Sequence, residues 1–150
     1  PGMPRDLPGS FAFLSQGVVL GLRRLGVPAE IESAPDATRD ALCYVRTQGT
    51  NVVAHGRKIS GGAQRRTRWA VLQHGTVIVV RDEARMARIF RTDEAFIRSR
   101  VTCLADFGLA PSREQLVEAI TEGFREALGP LEAGDPMSRY TPPAPVQGNP

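Results

Sequence analysis

The chain has 150 residues, of which 41% are hydrophobic, which suits one ordinary core. Its formal net charge of +3 and pI of about 9.4 come largely from arginine and favour anionic partners, including phosphate, nucleic acid and acidic proteins. The two cysteines, Cys43 and Cys103, lack the spacing of a disulfide framework or a zinc site. This cysteine usage indicates no metal site and fits a reducing cytoplasm best. No membrane-spanning run or signal peptide is visible in the sequence.

An amphipathic helix is the first predicted element and covers residues 10–25. Ser10 is expected to cap its start, and Gly26 is expected to end it. Its apolar side chains recur at steps of three and four, at Phe11, Leu14, Val18, Leu22 and Leu25.

Short apolar or β-branched runs after this helix predict an antiparallel sheet. Residues 27–32 alternate as a half-buried strand, and residues 33–40 are polar and contain a proline, which indicates a loop. His55-Gly56 is predicted to be a hairpin turn. The remaining strand-like runs, which we expect glycine-containing turns to separate, are residues 42–45, 51–54, 58–60 and 69–80.

The last third of the chain predicts helices again. Residues 82–90 favour a short helix and residues 100–103 a brief strand. Ser112 and Gln115 form a capping-box pattern before an apolar stripe that ends at Gly129-Pro130. Residues 131–150 are rich in proline, glycine and serine, which predicts a disordered tail. The fold class is therefore α/β (α+β), with a mixed, largely antiparallel sheet packed against helices.

Cys43 has two possible roles. As a thiolate it would be a nucleophile, but a free thiol with a pKa of about 8.5 needs a neighbouring cation to ionise at neutral pH. An ammonium about 4 Å away could supply that help, and Lys58 could lie on the same sheet face. The alternative is a buried small hydrophobe between Leu42 and Tyr44, which is the commoner fate of an isolated cysteine.

The glycine-rich segment after Lys58 suits an anionic or carbonyl-bearing ligand. Gly61 and Gly62 let backbone N–H groups approach a ligand while the Lys58 ammonium supplies a point charge, although a solvated strand lysine is the alternative. His74 is either a base or, more commonly in such a setting, a hydrogen-bonded core residue. A solvated face or a surface for an acidic partner is predicted for Arg65, Arg66 and Arg68.

Two segments resemble the biotin and lipoate protein ligase superfamily, in its lipoate-ligase and octanoyltransferase branch. Residues 56–64 read Gly-Arg-Lys-Ile-Ser-Gly-Gly-Ala-Gln, and residues 72–76 read Leu-Gln-His-Gly-Thr. The resemblance implies that Lys58 binds an acyl carbonyl or an adenylate phosphate. It makes Cys43 the leading nucleophile, because Cys43-Tyr44 matches the Cys-(Phe/Tyr) pair of one octanoyltransferase branch, and Cys103 the second candidate. It also implies substrate binding by Gly61, Gly62, Ala63, Gln64, His74 and Gly75.

The resemblance covers residues 10–129 and corresponds to the later part of a catalytic domain. The family's Arg-Arg-x-x-Gly-Gly type segment has no counterpart before Cys43, Gly62 replaces the usual serine, and no Pro-Ser follows Tyr44. We therefore expect residues 1–130 to form a partial catalytic domain, with the N-terminal half absent. Such a fragment is expected to be inactive alone.

The resemblance implies acyl transfer from an octanoyl acyl carrier protein to a lysine of a lipoyl-domain protein, with no cofactor. An ATP-dependent lipoate-protein ligase, which uses ATP, Mg²⁺ and lipoate, is the alternative, and Cys43 is then only structural. A third hypothesis is a non-catalytic relative that binds a carrier or lipoyl domain through its arginines. A nucleic-acid partner is disfavoured, because the basic residues are not interleaved with aromatics, and no membrane partner is expected.

Overall fold

The structure is a computed structural model and describes residues 2–32 and 51–132. Its helices are α1 (Leu7–Arg24), α2 (Glu83–Phe90), α3 (Glu94–Arg100) and α4 (Arg113–Leu128), with a 3-10 turn at Leu104–Phe107. Its strands are β1 (Ala29–Ile31), β2 (Val52–Ala54), β3 (Arg57–Arg66) and β4 (Val71–Val77). None of these helices is long and apolar enough to cross a membrane.

The four strands form one sheet in the order β1-β2-β3-β4, and all neighbours are antiparallel. A parallel bridge joins Lys58 to Val101 beside the sheet. The predicted mixed, largely antiparallel sheet is therefore confirmed. The hairpin turn at His55-Gly56 is confirmed as well, since both residues have the positive φ angles, 49° and 70°, of a tight hairpin turn.

Strand β3 is longer than the sequence predicts. It continues through Gly61 and Gly62 as far as Arg66, because these residues pair one by one with β4, for example Gly61 with Thr76 and Gly62 with Gly75. The prediction that glycines separate two short strands here was wrong. Cross-strand pairing overrides the low strand propensity of glycine.

A β-bulge in β3 sets the direction of the lysine. Val52 lies opposite Ser60 and Val53 opposite Lys58, so that Ile59 is an extra residue with no partner on β2. The bulge shifts the alternation of side chains between the two faces. As a result the Lys58 side chain lies over Gly61, whereas the neighbouring Gly62 faces Phe11 of α1.

Helices α1 and α4 pack against each other at very close range. A Cβ atom added to Gly123 would lie 2.3 Å from both the Gly17 carbonyl oxygen and the Gly21 amide nitrogen. Only glycine allows these two backbones to approach so closely. The main core lies between these helices and the inner strands and contains Val19, Leu22, Val27, Ala29, Val52, Ala54, Ile59 and Leu104.

The ends of the long helices confirm two predictions and correct one. Gly26 follows the last residues of α1 with a φ of 89°, and Ser112 with Gln115 forms the predicted capping box of α4. The N-cap of α1 is Asp6, which accepts a hydrogen bond from the Gly9 amide at 2.7 Å, so the prediction of Ser10 as cap was wrong. Ser10 lies inside the helix and is fully buried.

The region after β4 contains the predicted helix α2, with Asp82 as its N-cap. Helix α3, which Asp93 caps, was not predicted. The predicted strand at residues 100–103 is reduced to the single bridge at Val101, because Arg100 belongs to α3. The predicted loop at residues 33–40, the strand at 42–45 and most of the tail lie outside the described residues.

Candidate active site

Lys58 is the only lysine of the chain, and its side chain is buried on β3, with 7% of its surface exposed. It lies against Gly61, where an added Cβ would be 2.6 Å from Lys58 Cε and 2.9 Å from Nζ. The absence of a side chain at Gly61 therefore leaves the space that the lysine head occupies. The side-chain oxygen of Asn51 lies near the same point, 3.5 Å from that Cβ position.

Beside Lys58 is a cavity of about 270 Å³. Five of the six residues that the resemblance assigns to substrate binding line it together with Lys58, namely Gly61, Gly62, Ala63, His74 and Gly75. At Gly62 and Gly75 the two strands leave no room for side chains, because an added Cβ would lie 2.8 Å from the His74 carbonyl oxygen or 2.7 Å from that of Gly61. This part of the sheet thus exposes backbone to a ligand and places one ammonium beside it.

Gln64, the sixth predicted residue, does not line this cavity. Its amide accepts a hydrogen bond from Ser10 Oγ at 3.0 Å and donates one to Gln73 Oε1 at 2.9 Å. Gln73 in turn donates to Ser15 Oγ at 3.4 Å. These side-chain hydrogen bonds connect α1 to β3 and β4 on the helix side of the sheet.

His74 is exposed on β4, which corrects the expectation of a core histidine. The strand bearing it has only β3 as a neighbour among the described strands, and α1 lies on one side of it, where Gln73 donates to Ser15. His74 lines the cavity on the lysine side and also the groove on the helix side. That groove measures about 440 Å³ and is walled by α1 and α4, including Phe11, Leu14 and Phe124.

An ion-pair cluster supports the backbone that carries the lysine. Arg81, whose side chain is 6% exposed, pairs with Asp106 at 2.7 Å and with Glu83 at 2.6 Å, and it donates to the Val101 carbonyl at 2.8 Å. Thr102 N donates to the Lys58 carbonyl at 2.9 Å. The cluster therefore fixes the segment that pairs with Lys58.

Both carboxylates of the cluster have depressed pKa values. Burial opposes ionisation of Asp106, but hydrogen bonds from Arg81 and Thr102 outweigh it and lower its pKa to about 2. Hydrogen bonds from Arg98 and Arg81 likewise lower the pKa of Glu83 to about 2. Both groups are thus charged at neutral pH.

Sequence analysis missed this supporting cluster. Its members are separated by up to 25 residues along the chain and belong to different elements, and no local motif joins them. The only available signal was the acidic start before α2, which predicts a helix N-terminus but not an ion pair.

Of the two cysteines, the structure describes only Cys103. Cys43 lies outside the described residues, but both ends of the segment that carries it are fixed, because Glu32 N donates to the Asn51 carbonyl at 2.9 Å. Cys103 is free and 2% exposed, and it packs with Ile78 and Val101. Such burial suits a structural thiol better than a nucleophile.

No group of three or more His, Cys, Asp or Glu side chains in residues 2–32 and 51–132 could hold a metal ion. The chemistry that the described part of the site offers is electrostatic. The buried Lys58 ammonium and the backbone of the glycine-containing strands β3 and β4 lie where a carbonyl or phosphate oxygen could bind.

The model of the lipoyl protein ligase A/B catalytic domain family matches residues 2–125, which is most of the chain. The chain belongs to this family. Among curated relatives, it is 35% identical to octanoyltransferase LipM of Kyrpidia tusciae over 153 aligned residues, covering 90% of this chain and 56% of the relative. It is 29% identical to octanoyltransferase LipM of Halalkalibacterium halodurans, covering 85% and 52%.

A solved structure entitled lipoate-protein ligase A bound with ATP also resembles the chain. It has a TM-score of 0.65 and 27% identity, over 85% of this chain and 48% of that one. The chain therefore spans about half the length of the relatives it matches. Its membership of the family confirms the resemblance and the fold class that the sequence predicts.

Proposed function

We propose that the protein takes part in lipoate or octanoate attachment, by transferring an octanoyl group to a lysine of a lipoyl-domain protein. The observation that carries this proposal is the buried Lys58 head over Gly61, beside a cavity lined by backbone. Relatives named octanoyltransferase support the transferase form of the chemistry. We further place the reaction in the cytoplasm, where free cysteines persist in reduced form.

In the first step, the Cys43 thiolate attacks the carbonyl carbon of an octanoyl thioester on an acyl carrier protein. The carbonyl oxygen becomes an oxyanion, which the Lys58 ammonium and nearby backbone N–H groups stabilise. The intermediate then collapses, the C–S bond to the carrier breaks, and the carrier leaves as a thiolate that takes up a proton. The octanoyl group is now held as a thioester on Cys43.

In the second step, the neutral amine of the acceptor lysine attacks this thioester. The same oxyanion position is used again, the C–S bond to Cys43 breaks, the attacking nitrogen loses a proton that the departing Cys43 thiolate takes up, and an amide bond to the lipoyl-domain protein forms. No redox change or cofactor is needed. Cys43 is eight residues before Asn51, so an extended chain could reach up to about 26 Å from that anchor, and the Lys58 cavity lies within this range.

ATP-dependent lipoate ligation is the second candidate function. It is favoured by the similarity of this chain to the solved structure of lipoate-protein ligase A bound with ATP. Lys58 would then pair with the phosphate of a lipoyl-adenylate, and Mg²⁺ would be held chiefly by phosphate oxygens rather than by a protein cage. A non-catalytic protein that binds a carrier or lipoyl domain remains the third candidate.

The test is an intact-mass measurement on the full gene product incubated with octanoyl-acyl carrier protein. We expect a thioester adduct of one octanoyl group in the wild type and in Cys103→Ser, and none in Cys43→Ser. An adduct that persists in Cys43→Ser, or disappears only in Cys103→Ser, would move the nucleophile. No adduct in any variant, together with ATP-dependent modification of a lipoyl domain, would select the ligase.

A further inference from the structure

The tip of the β3–β4 hairpin carries a cationic surface that the proposed chemistry does not use. It consists of the exposed residues Arg65, Arg68 and Trp69 and of the half-buried Arg66, which donates a hydrogen bond to Ser10 Oγ at 3.1 Å, and we refer to it as the basic hairpin. Trp69 is 81% exposed, and the Arg68 guanidinium carbon lies 4.0 Å from the centre of its ring. Thr67 and Ala70 close the turn through backbone and side-chain hydrogen bonds of 2.9 to 3.2 Å, so the tip is held in one shape.

Charge is not balanced within this surface. Residues 41–81 contain no aspartate or glutamate. In the described part of the chain, no carboxylate forms an ion pair with Arg65, Arg66 or Arg68. By contrast, carboxylates pair with Arg24, Arg57, Arg81, Arg98 and Arg125. The basic hairpin therefore presents positive potential to an external partner.

We propose that the basic hairpin docks the acidic surface of the acyl carrier protein that donates the octanoyl group. This inference rests on the proposed transferase function and adds the place where the donor binds. Arginine and tryptophan are the residue types that most often dominate binding energy at protein interfaces. Arginines that form no ion pair with a described carboxylate additionally accelerate association with an acidic protein.

Distance favours the donor over the acceptor as occupant. Arg66 is eight residues from Lys58 along β3, a separation of roughly 25 Å at the rise of a strand. A donor that docks at the basic hairpin must therefore carry its acyl group on an arm long enough to span this separation. The acceptor lysine has only a four-carbon stem, so its domain must dock much nearer to Lys58.

A nucleic acid fits the surface less well. Single-strand binders stack successive bases on several aromatic side chains. Among the large hydrophobic residues exposed in the described structure, Trp69 is the single aromatic. The Trp69 ring is moreover already covered on one face by Arg68.

Trp69 is the only tryptophan of the sequence, and its fluorescence therefore reports directly on this surface. The chain is titrated with octanoyl-acyl carrier protein at about 0.05 M and about 0.5 M NaCl. We expect the emission to change on binding and the Kd to rise with salt. In the double variant Arg65→Glu/Arg68→Glu, the Kd should rise at least about tenfold, and Arg68→Gln should give a smaller rise.

Arg113→Glu is the matched control, because Arg113 is exposed at the first position of α4, where an acidic residue is tolerated. Its Kd should change less than about twofold. Circular dichroism checks that every variant is folded. An unchanged Kd in the double variant, an equal rise in Arg113→Glu, or tighter binding of a lipoyl domain or an oligonucleotide than of the carrier would overturn the proposal.

A second experiment distinguishes failure of the docking site from failure of the proposed transfer reaction. The full gene product and its double variant are supplied with a small octanoyl thioester that has no carrier. We expect the double variant to transfer normally from this donor and at least about tenfold more slowly from the carrier. Equal transfer from both donors would refute the docking site alone. No transfer from either donor in the wild type would refute the proposed function.

Discussion

The two halves of strand β3 differ sharply in their surroundings. Residues Lys58, Ile59 and Ser60 are all buried, between β2 on one side and the Val101 segment or β4 on the other. Residues 61–66 are all exposed or half-buried, and among the described strands they pair only with β4. One strand thus passes from a packed core into an open, glycine-containing hairpin, and Lys58 lies at the inner side of that boundary.

This difference shows how the same residue type can serve two purposes. In the core contact between α1 and α4, glycines such as Gly123 allow the two helices to pack closely. In the outer hairpin, Gly61 leaves the space that the lysine head occupies. Substitution of alanine for Gly123 and for Gly61 therefore tests whether one glycine serves helix packing and the other serves the site.

The largest effect is expected from Gly123→Ala. The added Cβ would meet backbone atoms of α1 at 2.3 Å, and these cannot move without displacing the helix. We expect the free energy of unfolding to fall by about 3 kcal/mol. Urea denaturation measures it, and a loss below about 0.5 kcal/mol would show that the α1–α4 contact is looser than described.

Gly61→Ala should slow transfer while leaving the free energy of unfolding nearly unchanged, in contrast to Gly123→Ala. Its added Cβ would meet the flexible end of Lys58 rather than backbone, so the fold can adapt while the ammonium is displaced. We expect little change in unfolding free energy and a roughly 10- to 100-fold slower transfer. If Gly61→Ala instead unfolds the protein while its transfer rate per folded molecule stays normal, the distinction between the two regions fails.

Acidification is expected to have a smaller effect on the stability of the folded state. The folded-state pKa values of Asp106 and Glu83 lie near 2, below the ordinary values of 3.8 and 4.5. The folded state therefore binds fewer protons than the unfolded state in this range, and stability is present above about pH 5 and lost as the pH falls toward 2. Asp106→Asn should be less stable than wild type at pH 7, and the gap should narrow on acidification.

Denaturation curves at several pH values measure this gap. Glu118→Gln is the control, because Glu118 is an exposed carboxylate on α4. A gap between wild type and Asp106→Asn that stays constant from pH 7 to pH 2 would contradict the role of the ion-pair cluster.

Local patterns predicted what local forces determine. The apolar stripes of α1 and α4, the capping box at Ser112 and the turn at His55-Gly56 depend on neighbours within a few residues, and all appear in the structure. Asp6 escaped prediction as the α1 cap because Pro8 and Gly9 interrupt the helical pattern, although proline is compatible with a first turn.

The features that the sequence did not predict depend on tertiary contacts. The continuation of β3 through its glycines depends on β4, and the bulge at Ile59 depends on the register with β2. The motif around Lys58 identified five residues that share its cavity, but the bond from Thr102 to Lys58 and the support from Arg81 join segments that no sequence pattern connects.

The most direct test of the account is the transfer rate of Lys58→Ala in the full gene product, together with its melting temperature. If the Lys58 ammonium stabilises the oxyanion, transfer should fall by about two to three orders of magnitude. Lys58→Arg should also be poor, because a planar guanidinium does not replace a point charge above Gly61. The melting temperature should stay near that of the wild type. Near-normal transfer by Lys58→Ala would show that the Lys58 ammonium does not stabilise the oxyanion.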